Sequence, residues 1–343
     1  MDEMSDPFRI ADFIAGNTRA NSIQVTGFTK LSGGAIQNNH ALSVVMDGGS
    51  CPGTHTFVVR SDAPSTIAAS LTREQEFAVI KCAYAAGVTA PEPLWLCTDK
   101  SVIGQPFCIM RKVAGVANGR QLVRQELSEG EASALVRSLG RELARLHRIQ
   151  PESADLSFLE IPQPTAASAR IRNYRTALDD ISEPHPVLEW ALNWLEDRMP
   201  SPLPLSLCHC DFRTGNYMVY EGRLTGILDW EFAAWSDPYE DLGWLCARSW
   251  RFGKVDKEVG GMGHKRDLFD GYANVACVDV EPERVKYWEV MAMVRWAIIA
   301  LQQAQRHLSG EEISLELALT GRMVPEMEFD VLNQCLTMEN TDG

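Results

Sequence analysis

Three side chains that carry oxygen ligands lie close together in the segment 207–245. Asp211 and Asn216 precede residues 217–228, which have the pattern of a β-hairpin, and Asp229 follows them directly. Because a hairpin returns the chain to its starting point, we expect Asp229 to lie near Asn216 and Asp211. Two carboxylates and one amide oxygen are ligands that Mg²⁺ prefers, and Mg²⁺ usually shares its coordination shell with substrate phosphates. The spacing therefore predicts a magnesium site that handles phosphate groups.

This combination of residue types suits phosphoryl transfer. The reaction needs metal ions that neutralise the phosphate oxygens and an acidic residue that orients the attacking hydroxyl group. In kinases one Asp faces the hydroxyl proton, while an Asn and a second Asp hold the metal. The residues of this segment are therefore candidates for these three roles.

The first third of the sequence has the pattern of an antiparallel sheet. Short segments rich in β-branched residues alternate with glycine-containing turns, as in a strand meander. A helix is predicted over 65–86, ended by Gly87 and by two prolines that follow it. The five predicted strands cover residues 22–25, 40–46, 55–60, 94–97 and 106–110.

Helical periodicity dominates after Gly115. Residues 131–147 carry apolar side chains on one face at helical spacing, and 186–195 and 282–301 are similar. A chain of 343 residues exceeds what one hydrophobic core usually spans, so two lobes are expected. The sequence therefore predicts an α+β protein with a sheet-rich first lobe, a hinge near 110–116 and a helical second lobe.

The segment 207–245 resembles the aminoglycoside phosphotransferase-like (choline-kinase-like) branch of the protein-kinase-like fold. That family shows His-x-Asp, then Asn, then Asp-Trp-Glu or a similar triplet, then Asp-Pro-x-x-Asp-Leu. Other segments follow in the family's order, so that the resemblance covers nearly the whole chain. It implies a bilobal fold in which residues 1–112 form a nucleotide-binding lobe, an antiparallel sheet with a helix, and 113–343 a mainly helical catalytic and substrate lobe. The matching residues are His209-Cys210-Asp211, Asn216, Asp229-Trp230-Glu231 and Asp237-Pro238-Tyr239-Glu240-Asp241-Leu242.

The resemblance implies a role for each polar residue of this segment. Asp211 would be the catalytic base that orients the acceptor hydroxyl, and Asn216 and Asp229 would bind Mg²⁺. His209 would support the catalytic loop from behind. Arg213, inside that loop, would add positive charge near the transferred phosphate.

Four parts of the first lobe would contact the nucleotide. Backbone amides around Gly33 and Gly34 could approach its phosphates closely, because glycine has no side chain. Arg60 ends a predicted strand at the position where kinases keep a phosphate-binding Lys, and Glu76 on the following helix is placed to pair with it. The segment that contains Met110 resembles the hinge that meets the purine. A surface charge pair is the alternative interpretation of Arg60 and Glu76.

Three residues depart from the family pattern. Cys210 and Ser236 stand where glycine is common, and Cys210 crowds the catalytic loop. Arg60 stands where kinases keep a Lys, so a planar guanidinium group replaces a compact ammonium charge, and the two are not interchangeable. Arg at this position is similar to the branch related to acyl-CoA-dehydrogenase-associated kinases. The departures leave the acceptor open and bear much less on the class of reaction.

The predicted activity is that of a Mg²⁺-dependent phosphotransferase, a kinase that moves the γ-phosphate of ATP or GTP onto a hydroxyl of a small molecule. The acceptor could be an aminoglycoside-like sugar, a hydroxyacyl-CoA or another metabolite alcohol. No long segment separates Asp229 from Asp237, so a peptide-docking activation loop, and with it a protein substrate, is not expected. The alternative is a catalytically inactive, nucleotide-binding pseudokinase that acts through partners.

Composition excludes several other classes. A net charge of −14 argues against bulk nucleic acid as a partner, because its phosphates would be repelled. The first residues are acidic and are not followed by the apolar region of a secretory signal. No apolar run is long enough to span a bilayer. We therefore expect a cytoplasmic protein with no nucleic-acid or membrane partner.

Alternative interpretations exist for three patterns. Cys208, His209 and Cys210 could start a zinc site, but a closed site needs four ligands and no second cluster follows. Residues 260–263 contain three glycines but lack the preceding strand that a dinucleotide-binding motif requires. The predicted magnesium site could instead be an ordinary polar loop and hairpin. The Asp-Pro-x-x-Asp-Leu segment that follows it, in which Asp241 would support the loop, argues against this alternative.

Overall fold

Two compact units make up the protein. The computed structural model describes residues 6–31, 37–62 and 70–341 of the chain. Backbone contacts group Met1–Asn118 with Gly215–Ala233 as the first unit. They group Gly119–Thr214 with Ala234–Gly343 as the second unit.

A five-stranded antiparallel sheet forms the centre of the first unit. Its strands are β1 (Ser22–Lys30), β2 (Gln37–Asp47), β3 (Gly53–Asp62), β4 (Pro93–Cys97) and β5 (Phe107–Arg111). They lie in the order β1-β2-β3-β5-β4, each antiparallel to its neighbours. All five predicted strands are present, which confirms the sheet-rich N-terminal part of the α+β prediction.

One face of this sheet carries the hydrophobic core of the first unit. Phe57 and Val59 of β3 are buried in one apolar cluster with Ile14 of helix α1 (Pro7–Thr18). Successive strand residues point to opposite faces of a sheet. Arg60, the next residue of β3, therefore points to the face away from α1.

Helix α2 (Arg73–Ala85) supplies the second charged group of this unit. Its start is fixed by a capping box, in which the Thr72 side chain and the Gln75 side chain each accept the other's backbone N–H. The helix predicted over 65–86 therefore begins later than expected, since Thr72 is its cap, while residues 63–69 lie outside the described part of the chain. A further short helix, α3 (Lys100–Ile103), precedes β5.

The hairpin predicted around Asp229 also belongs to the first unit. Its strands are β7 (Tyr217–Tyr220) and β8 (Arg223–Ile227), and Val219 exchanges two backbone hydrogen bonds of 2.9 and 3.0 Å with Val116. Gly115, at φ 126°, makes this approach possible, because a Cβ there would lie 2.6 Å from the Val219 carbonyl oxygen. Residue 115 is thus restricted to glycine both by its backbone angle and by space.

Helices form most of the second unit, as predicted. They are α4 (Gly119–Arg124), α5 (Glu129–Leu146), α6 (Ala166–Asp179), α7 (Pro186–Asp197), α8 (Tyr239–Cys246), α9 (Lys265–Ala276), α10 (Pro282–Leu308), α11 (Leu315–Gly321) and α12 (Val324–Thr341). The short strands β6 (Ser206–Cys208) and β9 (Ala234–Ser236) pair antiparallel. No helix in the described ranges is both long and apolar enough to cross a bilayer.

Helices α5 and α9 pack with their backbones almost in contact. A Cβ added at Gly140 of α5 would lie 2.2 Å from the Leu268 carbonyl oxygen of α9, and one added at Gly271 of α9 would lie 2.1 Å from the Arg137 carbonyl oxygen of α5. Backbone atoms cannot rotate away as a flexible side chain can. The two glycines therefore set the distance between these helices.

We expect Gly271→Ala to destabilise the protein by about 1–3 kcal/mol, because the added methyl group forces α5 and α9 apart. Gly130→Ala is the matched control, since nothing lies within 4 Å of a Cβ at that position of α5. It is expected to unfold at the same urea concentration as the wild type, or slightly higher. Equal urea midpoints for Gly271→Ala and the wild type would contradict the close packing.

Candidate functional site

Asp211 lies in the candidate catalytic loop, residues 209–214, which follows β6. Its carboxylate is held by Trp244 and Arg213. Trp244 of α8 donates its indole Nε1–H to Oδ1 over 2.9 Å, and Arg213 Nε lies 3.2 Å from the same oxygen. The Asp211 side chain remains 13% exposed. A carboxylate that is held in place and still reached by solvent can accept a proton from a bound hydroxyl.

Arg213 is held beside this carboxylate by an aromatic ring. Its guanidinium carbon lies 4.7 Å from the centre of the Trp250 ring, and its side chain is 29% exposed. Stacking of this kind stabilises a cation and restrains its position. Trp244 and Trp250 are both buried, and nothing in their sequence spacing indicates these contacts with polar residues of the loop.

A buried carboxylate supports the loop from behind. Asp241 of α8 accepts the backbone N–H groups of His209 and Cys210 over 2.8 and 2.7 Å, and its Oδ2 lies 3.1 Å from His147 Nε2. The other ring nitrogen of His147 lies 3.0 Å from the Tyr272 hydroxyl. Burial alone would raise the pKa of Asp241, but the hydrogen bond and charge of His147 and the contact with His209 lower it below the ordinary value. The predicted supporting role of Asp241 agrees with these contacts.

His209 contributes to the shape of the same loop. Its Nδ1 accepts the backbone N–H of Asp211 over 3.2 Å, and its ring meets Phe212 edge to face at 5.8 Å. The side chain is completely buried. His209 is thus placed to hold the backbone of Asp211, which fits the predicted support of the loop.

We expect Asp241→Asn to lower the free energy of unfolding at pH 7 by about 3 kcal/mol, since it breaks a buried, charged hydrogen-bond network. The lowered pKa means that Asp241 stabilises the fold fully above its ordinary pKa near 4. This stabilisation is lost as the pH falls through the folded-state pKa. Urea unfolding is measured at pH 7, at pH 5, and at pH 4 and below. The difference in free energy of unfolding between wild type and Asp241→Asn should be constant between pH 7 and 5 and should shrink in acid. A difference that persists unchanged in acid would contradict the assignment.

Cys210 occupies a backbone conformation that favours glycine. Its φ is 58°, in the left-handed region, where a side chain costs roughly 1–2 kcal/mol. The thiol is buried, and Arg170 Nη2 of α6 lies 3.4 Å from its Sγ. The departure from the family's glycine is therefore accommodated by a contact that glycine could not make. Burial and the charge of Glu240 raise the pKa of this thiol, so that it stays protonated.

The structure places three possible zinc donors near residue 208. In the described ranges, Cys208 shares a cluster with His147 and Asp241, whose donor atoms lie within 4.8 Å of one another. The cluster has three donors, whereas a closed zinc site needs four. Burial raises the pKa of the Cys208 thiol well above its ordinary value, and the thiol donates to the Asp237 carbonyl oxygen at 3.5 Å. A hydrogen-bonded, protonated thiol describes this cluster better than a metal ligand.

In the first unit, Arg60 joins two carboxylates. Its Nη2 lies 2.9 Å from Glu76 Oε1 and 2.8 Å from Asp229 Oδ1. The Arg60 and Glu76 side chains are only 7% and 1% exposed. Burial alone would lower the pKa of Arg60, but Glu76 and Asp229 raise it above its ordinary value. The predicted pairing of Arg60 with Glu76 is thus observed, and it is buried instead of lying on the surface.

A second arginine in this network was not predicted. Arg73, one helical turn before Glu76, contacts the Glu76 carboxylate, and its Nη2 lies 2.6 Å from Asp62 Oδ1. Its side chain is 3% exposed. The spacing of Arg73 and Glu76 by three residues on one helix could have indicated the pair. Glu76 is consequently held between two guanidinium groups.

The hairpin brings the proposed metal ligands to its open end. The Asn216 backbone carbonyl oxygen accepts the Leu228 backbone N–H over 2.8 Å. The backbone of Asp229, the next residue, therefore lies close to that of Asn216. Asn216 is buried, and the Asp229 side chain is 29% exposed at a φ of 61°. An amide oxygen and a carboxylate next to each other fit the hard-oxygen preference of Mg²⁺.

Met110 and the two glycines complete the predicted nucleotide-binding residues. Met110 pairs with Val58 of β3, so it lies on the sheet face that carries Arg60. It is buried, with 7% of its surface exposed. Gly33 and Gly34 lie outside the described residues. Arg60 and Met110 thus lie on the same face of the sheet, opposite the apolar core.

The chain matches a phosphotransferase family model and is similar in fold to solved phosphotransferase structures. The model of the phosphotransferase enzyme family (APH) matches residues 30–276. A structure of a candidate aminoglycoside phosphotransferase from Ralstonia eutropha is similar with a TM-score of 0.77 and 20% identity, over 97% of this chain and 98% of that one. The GDP complex of a point mutant of aminoglycoside 2′-phosphotransferase-IIIa gives a TM-score of 0.62 and 15% identity, over 96% and 100%. A complex of spectinomycin phosphotransferase with ADP and spectinomycin gives a TM-score of 0.60 and 14% identity, over 95% of this chain and 98% of that one.

The similar curated proteins are longer than this chain. Acyl-CoA dehydrogenase family member 10 of Mus musculus is 25% identical over 269 residues, which are 74% of this chain and 25% of that protein. Acyl-CoA dehydrogenase family member 11 of Pongo abelii is 26% identical over 287 residues, 79% of this chain and 36% of that protein. The chain thus spans about a quarter to a third of the length of these relatives. Because the family model matches well over half of its residues, the chain belongs to the phosphotransferase enzyme family.

Proposed function

We propose that this protein is a Mg²⁺-dependent kinase that transfers the γ-phosphate of ATP or GTP to a hydroxyl group of a small molecule. The observation that carries the proposal is the Asp211 carboxylate, fixed by Trp244 and Arg213 on a loop that buried Asp241 supports. Phosphoryl transfer depends mainly on positioning and electrostatics, so a rigidly held acid beside a cation is what the reaction requires. Membership of the phosphotransferase family supports the same class of reaction.

Asp211 would act on the acceptor. Its carboxylate would orient the acceptor hydroxyl and take its proton as the oxygen attacks the γ-phosphorus. One oxygen–phosphorus bond forms to the acceptor, the bond between the γ-phosphorus and the bridging oxygen breaks, and the nucleoside diphosphate leaves with that oxygen. Arg213, 3.2 Å from Asp211, would stabilise negative charge on the transferred group.

Residues of the first unit would bind the nucleotide and the metal. Asn216 and Asp229 would hold Mg²⁺, which when bound neutralises charge on the phosphate oxygens. Arg60, fixed by Glu76, would contribute a guanidinium to the phosphates. Its planar fork can bind two phosphate oxygens at once, so Arg is a competent replacement for the usual Lys although the geometry differs.

The nucleotide and the acceptor are inferred from the similar proteins. Neighbours of the same fold form complexes with GDP and with ADP, which supports a purine nucleotide as co-substrate. One neighbour binds the aminocyclitol spectinomycin, and the curated relatives carry the name of acyl-CoA dehydrogenases. Aminoglycoside-like sugars, hydroxyacyl-CoA thioesters and other metabolite alcohols are therefore the acceptor classes to test. The pseudokinase alternative is less well supported, because Asp211, Asn216 and Asp229 are all present.

Transfer from γ-labelled ATP and GTP tests the proposal. The assay contains Mg²⁺ and a mixed panel of aminoglycosides, choline-like compounds, sugars, hydroxy acids and hydroxyacyl-CoA thioesters. Label on one class of compound, lost in Asp211→Asn, would support the kinase. Nucleotide binding with no transfer to any acceptor would favour the pseudokinase, and absence of nucleotide binding would refute both.

A further inference from the structure

Two arginines from helices that are far apart in the sequence meet at the candidate catalytic loop. Arg170 of α6 lies 3.4 Å from the Cys210 Sγ, and Arg295 of α10 donates from Nη1 to the Cys210 carbonyl oxygen. Cys210 precedes Asp211 directly, so both guanidinium groups lie next to the proposed base. Neither arginine belongs to the motifs that identify the family.

Arg295 is connected to Asp211 through one indole ring. Its guanidinium carbon lies 4.3 Å from the centre of the Trp244 ring, and the Nε1–H of the same ring donates to Asp211 Oδ1. The cation thus lies over the face of the ring, and the carboxylate accepts from its edge. A cation stacked in this way keeps its in-plane N–H groups available for an anion.

The charges in this cluster do not balance. Glu240 of α8 is the carboxylate that contacts both guanidinium groups, at 3.0 Å from Arg170 Nε and 3.8 Å from Arg295 Nη1. It also accepts the hydroxyl of Ser236. Burial raises the pKa of nearby Tyr174 to about 12, so that its hydroxyl adds no negative charge at neutral pH. Among Arg170, Arg295 and Glu240, two positive charges thus share one carboxylate.

Several N–H groups of these arginines are available to a ligand. Nη1 of Arg170, and Nε and Nη2 of Arg295, have no hydrogen-bond partner within the described portion of the chain. The two side chains are 25% and 15% exposed. Partly buried guanidinium N–H groups bind carboxylates and phosphates through short, charge-assisted hydrogen bonds.

The acidic residues near the loop are, by contrast, already engaged. Glu240 is shared by the two arginines, Asp241 holds the loop backbone and His147, and Asp237 Oδ2 lies 3.4 Å from Arg284 Nη1. The carboxylates of Glu240 and Asp241 are therefore already paired within the protein. A cationic acceptor would meet arginines here.

We propose that the acceptor is an anionic alcohol, whose carboxylate or phosphate group lies a few bonds from the reacting hydroxyl and is bound by Arg170 and Arg295. This proposal rests on the proposed kinase function, since it names the acceptor of the same site. The arginines orient the molecule so that its hydroxyl faces Asp211. They also select against aminoglycosides and choline-like compounds, because bringing like charges together in a partly buried site is unfavourable.

The test compares acceptors that differ only in charge. Short hydroxycarboxylic acids, their methyl esters, the corresponding amino alcohols and alcohol phosphomonoesters are assayed with Mg²⁺ and both nucleotides. We expect kcat/KM for the acid or the phosphomonoester to exceed that of the ester and the amine by about 10- to 100-fold, the value of one to two charge-assisted hydrogen bonds. The comparison of carboxylates with phosphomonoesters identifies which anion the arginines bind.

Arg170→Gln is the decisive variant, and Arg172→Gln is its control. Arg172 is exposed on the same helix and donates to the Gln163 carbonyl oxygen, so its loss should change nothing. Arg170→Gln should raise KM for the anionic acceptor about 10-fold or more while leaving the ester unchanged. Equal effects on acid and ester, or no effect on either, would overturn the proposal.

Binding without turnover separates this proposal from the kinase function. Calorimetry measures the affinity of deoxy carboxylates, which lack the hydroxyl, and of inorganic phosphate. Binding that Arg170→Gln weakens and Arg172→Gln does not supports the anion site, even if no acceptor is phosphorylated. Transfer to neutral or cationic alcohols, with no binding of either anion, overturns the anion site and leaves the kinase function standing.

Discussion

Replacement of Asp211 by asparagine is expected to lower kcat by about 10²- to 10⁴-fold, the usual contribution of a general base. The asparagine amide oxygen can still accept the Trp244 indole N–H, so the loop should keep its shape. KM for the nucleotide should change little, because the residues proposed to bind it lie in the first unit. Steady-state kinetics on the best acceptor of the panel provide the measurement.

The control for this variant is Asp279→Asn. Asp279 is exposed and lies outside any helix or strand. Both variants should unfold within a few degrees of the wild type, as most surface changes do. If Asp211→Asn is folded and keeps its full rate, Asp211 is not the base, and the proposed mechanism fails at its first step.

The second large effect is expected for Asp229→Asn, through the metal. Loss of the negative charge should lower kcat by roughly 10²-fold or more and raise the Mg²⁺ concentration needed for half-maximal rate, because carboxylate ligands supply much of the binding free energy of Mg²⁺. Arg60 keeps Glu76 as its partner, 2.9 Å away, so the network should remain folded. Rates measured over a range of Mg²⁺ concentrations check this expectation.

Asp62→Asn is the matched control in the same network. Asp62 pairs with Arg73 at 2.6 Å but is 32% exposed, and pairs of this kind contribute up to about 1 kcal/mol. Its Mg²⁺ dependence should equal that of the wild type. If the Mg²⁺ dependence of Asp229→Asn also equals that of the wild type, the Asp229 carboxylate does not bind the metal.

The sequence predicted those features that depend on residues near each other in the chain. The strands of the sheet and the hairpin β7–β8 have local patterns, in which β-branched residues alternate with glycine turns. The motif from His209 to Leu242 spans one continuous segment, so its members were found together. Helix α1 was not predicted, although its signals are local: the Asp6 side chain caps it, and Pro7 occupies its first position.

The rest depends on contacts between distant parts of the chain. Arg170 and Arg295 lie 40 and 85 residues from Cys210 along the sequence. Their helices carry no spacing that indicates the catalytic loop as their partner, because tertiary packing and not local propensity brings them there. The same holds for His147 and Asp241, which are 94 residues apart. Such partners become visible only when the fold is known.

The first unit is built from two separate stretches of chain, and this affects how the protein is made. Val116 exchanges backbone hydrogen bonds with Val219, and the Thr89 carbonyl oxygen accepts the Ile227 backbone N–H over 2.8 Å. During synthesis, the N-terminal part must wait for about a hundred further residues before these bonds can form, and the closing of so long a loop is slow. A fragment that ends at residue 116 would lack these bonds to Val219 and Ile227. The first unit is therefore not separable by truncation at that point, and it matures together with the segment that carries Asn216 and Asp229.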